Sequence, residues 1–198
     1  MTGNIFVVST EPTNDSTMRL SAIEKPRGIF LKLAYWYSEK EFGKVIAPLK
    51  YIYARSIPIA KVSLKMIGAE KRLTLSREII QCIRYYTSHR NDCPFCSDIN
   101  AYTAQKANLA LQEWKEFLDF RISRRFTEQE KALLAYLEDI YQTRSATDET
   151  FTNLKKYFSE KEIVEITWVN ASENYLNLIA KPLGLPSDGL GVRNGKSE

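Results

Sequence analysis

Residues 88–100 read SHRNDCPFCSDIN, and this stretch contains the one histidine of the chain and its one Cys-x-x-Cys pair, Cys93 and Cys96. Proline is favoured at the first position of a helix, so Pro94 predicts a loop that turns into a helix at Cys93. Cys93 would then be the N-cap residue, with its sulfur facing the free amides of the first turn. The positive end of the helix dipole favours thiolate over thiol. The sequence therefore predicts a reactive cysteine at the start of a helix.

Apolar positions with helical spacing continue on both sides of this stretch. They predict helices over residues 29–42, 48–56, 58–68, 74–89, 94–108, 109–120 and 127–141, and from 159 to about 184. Two of these helices begin with a capping box, formed by Thr127 with Glu130 and by Ser159 with Glu162. No segment alternates with period two between turn signals. We therefore expect an all-α fold.

The composition is that of one globular domain. The chain has 198 residues, of which 44% are hydrophobic and 26% charged, and no Gly/Ser/Pro-rich linker divides it in the middle. The N-terminal residues contain Thr, Ser, Asn, Asp and Pro without sustained helical or strand periodicity, and the C-terminal residues are rich in Gly and Ser. We expect a flexible or draped arm over residues 1–25, a helical domain over 26–186 and a loose tail over 187–198.

Charge and cysteine content narrow the class of protein. The net charge is +4, and Lys and Arg are scattered among Asp and Glu, which argues against a nucleic-acid binder. No apolar stretch approaches the length of a membrane span, and the N-terminus lacks the pattern of an export signal, so we expect a cytoplasmic protein without a membrane partner. Three cysteines, an odd number, argue against a structural disulfide framework and for catalytic, redox or metal use of the pair.

Three interpretations of the cysteine pair remain open. In the first, one cysteine attacks an oxidised partner such as a peroxide and the other closes a disulfide that a reductant reopens. In the second, Cys82, His89, Cys93 and Cys96 bind zinc; however, Cys82 lies in mid-helix among apolar residues, which indicates a small core residue, and a second pair of ligands is missing. In the third, the two thiols are packed and carry no chemistry.

Polar residues around the pair are candidates for tuning it. His89 lies four residues before Cys93, and an imidazole close to a thiol lowers the thiol pKa. Asp92 and Asp98 act in the opposite direction, since nearby carboxylates raise a thiol pKa. Gln81 and Asn100 are amides, which can orient a water but cannot remove a proton.

From residue 42 to residue 186, the chain resembles the carboxymuconolactone decarboxylase family, in its alkylhydroperoxidase-D-like branch. Three runs carry the resemblance: LSREII at 75–80, CPFCSDIN at 93–100 and YFSEKEIVEI at 157–166. The Cys-x-x-Cys matches the redox branch and not the true decarboxylases. The resemblance implies a single-domain helical bundle that assembles as a dimer, trimer or hexamer.

In the redox branch, the resemblance implies a proton relay from the thiol of the second cysteine. The relay uses a glutamate twelve residues before the first cysteine and a histidine four residues after the second. Here these positions hold Gln81 and Asn100. Either His89 or Glu78 substitutes as the base, or the thiolate relies on the helix terminus alone. The helix argument favours Cys93 as the low-pKa thiol, whereas the relay favours Cys96, and both remain open.

Together these observations predict a thiol-dependent peroxidase or disulfide reductase in antioxidant defence, with Cys93 and Cys96 as the redox pair and His89 as the tuning base. Gln81, Asn100, Asp98 and Glu78 would be the polar groups around it. Its partners would be a hydroperoxide, a thiol or dithiol reductant and further copies of the chain, with no metal or organic cofactor. The alternative is a non-catalytic oligomeric scaffold or small-molecule binder that kept the fold without the relay.

Overall fold

The structure is a computed structural model that describes residues 18–109 and 114–191. Within these ranges every regular element is helical and no strand occurs. The helices are α1 (Ile29–Phe42), α2 (Ile57–Glu70), α3 (Arg77–Arg90), α4 (Pro94–Lys106), α5 (Trp114–Leu118), α6 (Glu128–Thr143), α7 (Asp148–Leu154) and α8 (Glu160–Ala180). A π-helical turn, Leu49–Tyr53, precedes α2, and a 3-10 turn, Lys181–Leu183, follows α8. The predicted all-α fold is confirmed.

Helix α3 connects the large core to the Cys-x-x-Cys stretch, because it packs against both α4 and α8. Two side chains fix its N-terminal end. The Ser76 hydroxyl accepts from the Ile79 amide at 3.3 Å, and Glu165 of α8 accepts from the backbone amides of Thr74 at 2.8 Å and Leu75 at 3.2 Å. The Ser76 bond satisfies one amide donor that a helix leaves open at its N-terminus, and the two bonds to Glu165 tie the residues just before the helix to α8. Because the start of α3 is fixed in this way, the position of its C-terminal end, which precedes the Cys-x-x-Cys pair, is fixed as well.

The large core lies between α3, α5, α6, α7 and α8. The apolar spacing predicted for α6 is confirmed by the buried Leu133 and Leu137, and that for the first half of α8 by the buried Ile166 and Val169, whereas Leu178 near the end of α8 is exposed. Both capping boxes are present as well. Burial of such side chains contributes roughly 1.5–3 kcal/mol each to stability. None of the helices in the described ranges is long and apolar enough to cross a bilayer.

A second apolar cluster, which we call the motif cluster, surrounds the cysteine pair. It combines the π-helical turn, the start of α4, the end of α8 and the segment after α8. Its buried members are Ala47, Tyr51, Ile52, Cys93, Phe95, Cys96, Ala180 and Leu185. The cysteine pair therefore lies outside the large core, in a smaller apolar environment built from segments distant in sequence.

Helix α7 is missing from the sequence prediction. Its N-cap is Thr147, whose hydroxyl accepts from the Thr150 amide at 3.2 Å, and Asp148 and Glu149 occupy the first turn. Carboxylates there interact favourably with the helix dipole, so the capping signal was present in the sequence. The element escaped prediction because seven residues are too short to display a clear apolar period.

The described parts of the predicted arm and tail contact the helical domain. In the predicted arm, Met18 and Ala22 pack on the motif cluster, and the Arg19 amide donates to the Leu183 carbonyl at 3.1 Å. In the predicted loose tail, Leu190 is buried, with 1% of its surface exposed. These contacts join Met18, Arg19, Ala22 and Leu190 to the rest of the domain. The remainder of both predicted segments, residues 1–17 and 192–198, lies outside the described residues.

Candidate redox site

The turn between α3 and α4 positions the first cysteine. After α3 ends at Arg90, Asp92 adopts a positive φ of 50°, a conformation that Asp tolerates better than most residues. The Asp92 amide donates to the His89 carbonyl at 3.0 Å, and the Cys93 amide donates to the Ser88 carbonyl at 3.1 Å. These bonds close the last turn of α3, so that Cys93 begins the next helix.

Cys93 is the N-cap residue of α4, as the sequence predicted, and Pro94 occupies the first turn. A disulfide joins Cys93 to Cys96, with 5.3 Å between their Cα atoms. Both residues are buried, with 1% and 4% of their surfaces exposed. In the reduced protein, the N-terminus of α4 would stabilise a thiolate at Cys93. The arrangement can therefore store two electrons reversibly as a dithiol.

Gln81 and Asn100, the two amides at the relay positions, meet each other. Both are buried, and Gln81 Nε2 donates to the backbone carbonyl of Asn100 at 2.6 Å. The side-chain amide of Asn100 turns the other way, where Nδ2 donates to Glu173 Oε1 at 3.2 Å and to the Arg84 carbonyl at 3.3 Å. The structure thus brings Gln81 and Asn100, the two relay positions, into contact, and it places the carboxylate of Glu173 against Asn100.

Glu173 is the residue that sequence reasoning missed. It comes from α8, only 1% of its surface is exposed, and its Oε2 accepts from Arg84 Nη1 at 2.8 Å. Arg84 also pairs with Glu70 of α2 at 2.5 Å. The sequence did contain an indication that Glu173 is buried, because it lies on the same face of α8 as the buried residues Ile166 and Val169. A charged residue on such a stripe has a partner in most folds, since an unpaired buried charge is costly.

The buried charges shift the acid–base properties of the network. Burial raises the pKa of the Glu173 carboxyl, and the Arg84 guanidinium opposes that shift only in part. Burial lowers the pKa of Arg84, but Glu173 and Glu70 outweigh burial and the net shift is upward. Asn177 also donates to Glu173 Oε1, at 2.7 Å. The network therefore holds one guanidinium between two carboxylates at the junction of α2, α3 and α8.

His89 lies on the last turn of α3, where its ring is held by Tyr85. Nδ1 donates to the Tyr85 carbonyl at 2.9 Å, and the two rings lie 4.0 Å apart between centroids. Because a carbonyl only accepts, Nδ1 carries the proton in the neutral ring. Burial lowers the pKa of His89, although its bond to Tyr85 acts in the opposite direction. At neutral pH the ring is uncharged, and its role as a base stays a prediction.

The structure separates Glu78 from the cysteine pair. Glu78 is exposed on the first turn of α3, and its pKa is lowered by its own backbone amide and by Ser76. The cysteines follow the other end of α3, and the helix axis from Glu78 to Arg90 is about 18 Å long at 1.5 Å per residue. This placement offers no support for Glu78 as the substitute base.

Asp98 stabilises the site from the other side of α4. Its two carboxylate oxygens accept from the backbone amides of Leu190 at 3.1 Å and Gly191 at 2.7 Å. These bonds hold the segment after α8 against α4, close to the motif cluster. Asp98 thus holds the segment after α8 in place, and these two hydrogen bonds are made to backbone amides and not to the cysteines.

Cys82 belongs to the large core and not to the motif cluster. Burial, with a smaller effect of Glu130, raises the pKa of its thiol to about 12. The interpretation of Cys82 as a small core residue is therefore supported. In the described ranges no group of three or more His, Cys, Asp or Glu side chains is arranged to hold a metal ion.

Solved structures similar to this chain share its helical fold. A protein of unknown function from Agrobacterium tumefaciens, named as a candidate antioxidant defence protein AhpD, is 28% identical, with a TM-score of 0.62 over 66% of this chain and 91% of that one. A peroxidase-related protein from Silicibacter sp. TM1040 is 16% identical, with a TM-score of 0.71 over 87% and 95% of the two chains. The chain therefore has the helical fold of alkylhydroperoxidase-D-like and peroxidase-related proteins, and the predicted resemblance is confirmed.

Other comparisons are less specific about activity. The uncharacterized protein YnjA of Escherichia coli (strain K12) is 21% identical over 165 residues, which cover 82% of this chain and 90% of YnjA. The debrominase Bmp8 is 17% identical, with a TM-score of 0.71 over 88% of this chain and 95% of that one. No protein-family model matches the chain. The fold alone therefore does not decide between a peroxidase and another activity.

Proposed function

We propose that this protein is a thiol-dependent peroxidase or disulfide reductase that acts in antioxidant defence. The observation that carries the proposal is the Cys93–Cys96 disulfide at the N-terminus of α4. A helix N-terminus favours the thiolate that peroxide chemistry needs. The name of the structural relative from Agrobacterium tumefaciens supports the same class of activity.

The proposed cycle has three steps. A cysteine thiolate attacks one oxygen of a hydroperoxide, the O–O bond breaks, and the alkoxide takes a proton and leaves as an alcohol. The resulting sulfenic acid is attacked by the thiol of the other cysteine, which forms the disulfide and releases water. An external thiol or dithiol then reduces the disulfide through a mixed disulfide and is itself oxidised. These steps need no metal and no organic cofactor.

We propose that the protein works as a homo-oligomer. Helices α1 and α2 support this, because large apolar side chains lie exposed on them: Ile29, Leu33, Trp36, Tyr37, Ile59, Val62, Leu64 and Ile67. Single exposed apolar residues are common, but a group of this size is typical of protein–protein contacts. A shift to smaller species for Trp36→Asp in light scattering would support the assembly; an unchanged mass would contradict contact through α1.

A cytoplasmic location is part of the same proposal. Cys82 is a free buried thiol, and the cycle depends on a thiol or dithiol reductant. Reducing compartments preserve free thiols and supply such reductants.

The experiment that tests the activity uses reduced, purified protein with one equivalent of hydrogen peroxide or of an organic hydroperoxide. We expect mass spectrometry to find a Cys93–Cys96 disulfide, and peroxide to disappear faster than with the double variant Cys93→Ser/Cys96→Ser. Cys82→Ser is the matched control, since it removes a thiol outside the motif cluster and should leave peroxide consumption unchanged. If no disulfide forms and peroxide loss equals that of the double variant, the proposed function is wrong.

A non-catalytic binder is the second candidate, and two observations favour it. Both relay positions hold amides, and the disulfide is buried beneath apolar side chains. Thiol titration separates the candidates. A cysteine of the pair with a pKa well below the free value of about 8.5 supports catalysis, whereas two unperturbed thiols support the binder.

A further inference from the structure

The orientation of the Asn100 amide is fixed by its neighbours. Nδ2 faces two acceptors, Glu173 Oε1 at 3.2 Å and the Arg84 carbonyl at 3.3 Å. If the amide were turned over, its own oxygen would face a carboxylate oxygen and a carbonyl oxygen, and both contacts would be repulsive. Neither of the observed contacts uses Oδ1. The side chain of Asn100 therefore presents an acceptor, and not a donor, to the rest of its surroundings.

Cys96 lies one helical turn before Asn100, on the same buried face of α4. Side chains of a helix tilt toward its N-terminus, so the Asn100 side chain leans toward the turn that carries Cys96. We propose that, in the reduced protein, Asn100 Oδ1 accepts the hydrogen of the Cys96 thiol, and that Glu173 is the positioning residue that keeps Asn100 in this orientation. This inference rests on the proposed dithiol function and assigns the two cysteines different roles.

An acceptor bonded to a thiol stabilises the neutral form and so disfavours the thiolate. Cys96 stays protonated, while Cys93 at the helix N-cap is the cysteine that ionises and attacks. Cys93 becomes the sulfenic acid when the O–O bond breaks. The Cys96 sulfur then attacks the Cys93 sulfur, the S–O bond breaks, and the Cys96 proton leaves with the hydroxide as water. The amide of Asn100 holds the proton donor but takes no proton itself.

The charged groups around this arrangement come from three elements. Glu173 of α8 faces Arg84 of α3, and Arg84 also faces Glu70 of α2. Asn177, on α8, adds a neutral donor to the same oxygen of Glu173 that Asn100 contacts. Replacement of Glu173 by Gln keeps the shape, but a Gln amide can present either its oxygen or its nitrogen to Asn100. The fixed orientation of Asn100 would then be lost.

The test measures the alkylation of each cysteine and uses no peroxide. Reduced protein is treated anaerobically with limiting iodoacetamide between pH 5 and 10, and peptide mapping gives the rate at each cysteine. In the wild type, we expect the midpoint of the rate profile to be lower for Cys93 than for Cys96. In Asn100→Ala and in Glu173→Gln, we expect the Cys96 midpoint to fall by about one pH unit, a tenfold change in ionisation.

Thr87→Val is the matched control for both variants. Its hydroxyl donates to Asn170 Oδ1 at 2.9 Å, a buried bond between α3 and α8 that does not involve Asn100 or Glu173. Cys82 reports folding in the same experiment, because it becomes reactive only when the core opens. If Cys82 becomes reactive in Glu173→Gln, that variant is not folded, and the Cys96 midpoint of Asn100→Ala alone tests the inference.

Three outcomes would overturn the inference: a Cys96 midpoint at or below that of Cys93 in the wild type, unchanged midpoints in the folded variants, or an equal fall in Thr87→Val. The proposed peroxidase activity is judged separately, from peroxide consumption. A protein with the expected midpoints but no peroxide-driven disulfide would retain this assignment of the thiols and lose the proposed function.

Discussion

Asn100 and Glu173 are 73 positions apart in sequence, yet the Asn100 amide donates to the Glu173 carboxylate at 3.2 Å inside the protein. In the resemblance on which the site prediction was based, the carboxylate stands on the helix of position 81 and a histidine stands at position 100. Here α8 supplies the buried carboxylate, and it accepts from the amide of Asn100, which is on the same helix as Cys96. The buried carboxylate next to position 100 therefore comes from α8 and not from position 81.

Loss of Glu173 should destabilise the protein strongly. Glu173→Ala leaves the buried Arg84 guanidinium with Glu70 as its remaining carboxylate partner, and breaking a buried ion pair costs about 3–5 kcal/mol. The control is Glu70→Ala, which leaves the more deeply buried carboxylate in place. We expect the urea midpoint to fall less for the control. Equal losses for both variants would contradict the central place of Glu173.

His89 should make stability depend on pH. Burial lowers its pKa in the folded protein below the ordinary value of about 6.5, so the unfolded chain binds the proton more readily. Folding stability then rises with pH up to about 6.5 and levels off above it. His89→Phe keeps a ring against Tyr85 and removes the titration. The free energy of unfolding of the wild type minus that of the variant should therefore be highest above pH 6.5 and should fall as the pH drops below 6.5.

This measurement is made on the oxidised protein by urea unfolding between pH 5 and pH 8, so that the disulfide is constant. Other titrating groups cancel, since the variant retains them. If this difference stays constant from pH 5 to pH 8, burial does not lower the pKa of His89.

Local signals were enough to predict most of the fold. Helix α1 was predicted over residues 29–42 and has these bounds, and the capping boxes at Thr127 and Ser159 begin α6 and α8 as expected. These features depend on residues within one or two turns of each other, so the sequence contains them in full. The N-cap position of Cys93 belongs to the same kind, because Pro94 marks it directly.

Features that depend on packing between helices could not be predicted in this way. The helical spacing of Leu33 and Trp36 was recognised, but both side chains are exposed, since periodicity does not say which face meets the domain. The contact of Glu173 with Asn100 needs the relative position of α8 and α4. The clamp of Asp98 on Leu190 needs the return of the chain after α8.

Cys82 should not react with thiol reagents in the folded protein. Its pKa of about 12 leaves almost no thiolate at pH 8, and the large core covers it. After reduction of the native protein, iodoacetamide at pH 8 should modify Cys93 and Cys96 and spare Cys82, as read by peptide mapping. Added urea should make Cys82 reactive over the range in which the protein unfolds. Rapid modification of Cys82 without denaturant would contradict its place in the core.

The segment of residues 18–25 should control how fast the disulfide is reduced. Arg55 holds it, since Nη2 donates to the Ser21 carbonyl at 2.6 Å while Nη1 donates to the Tyr51 carbonyl at 2.8 Å. Met18 and Ala22 of the segment pack on the motif cluster that contains the disulfide. Arg55→Ala removes these bonds, and a hydrogen bond that involves a charged group contributes about 1.5–3 kcal/mol. Reagents should then reach the disulfide more easily.

We expect dithiothreitol to reduce the disulfide several-fold faster in Arg55→Ala than in the wild type, measured by quenching with iodoacetamide and mass spectrometry. Arg27→Ala is the control, because it removes the same charge from an exposed position near the segment. If both variants speed the reduction equally, charge and not the segment governs the rate. If neither does, the reductant reaches the buried disulfide by a route that residues 18–25 do not cover.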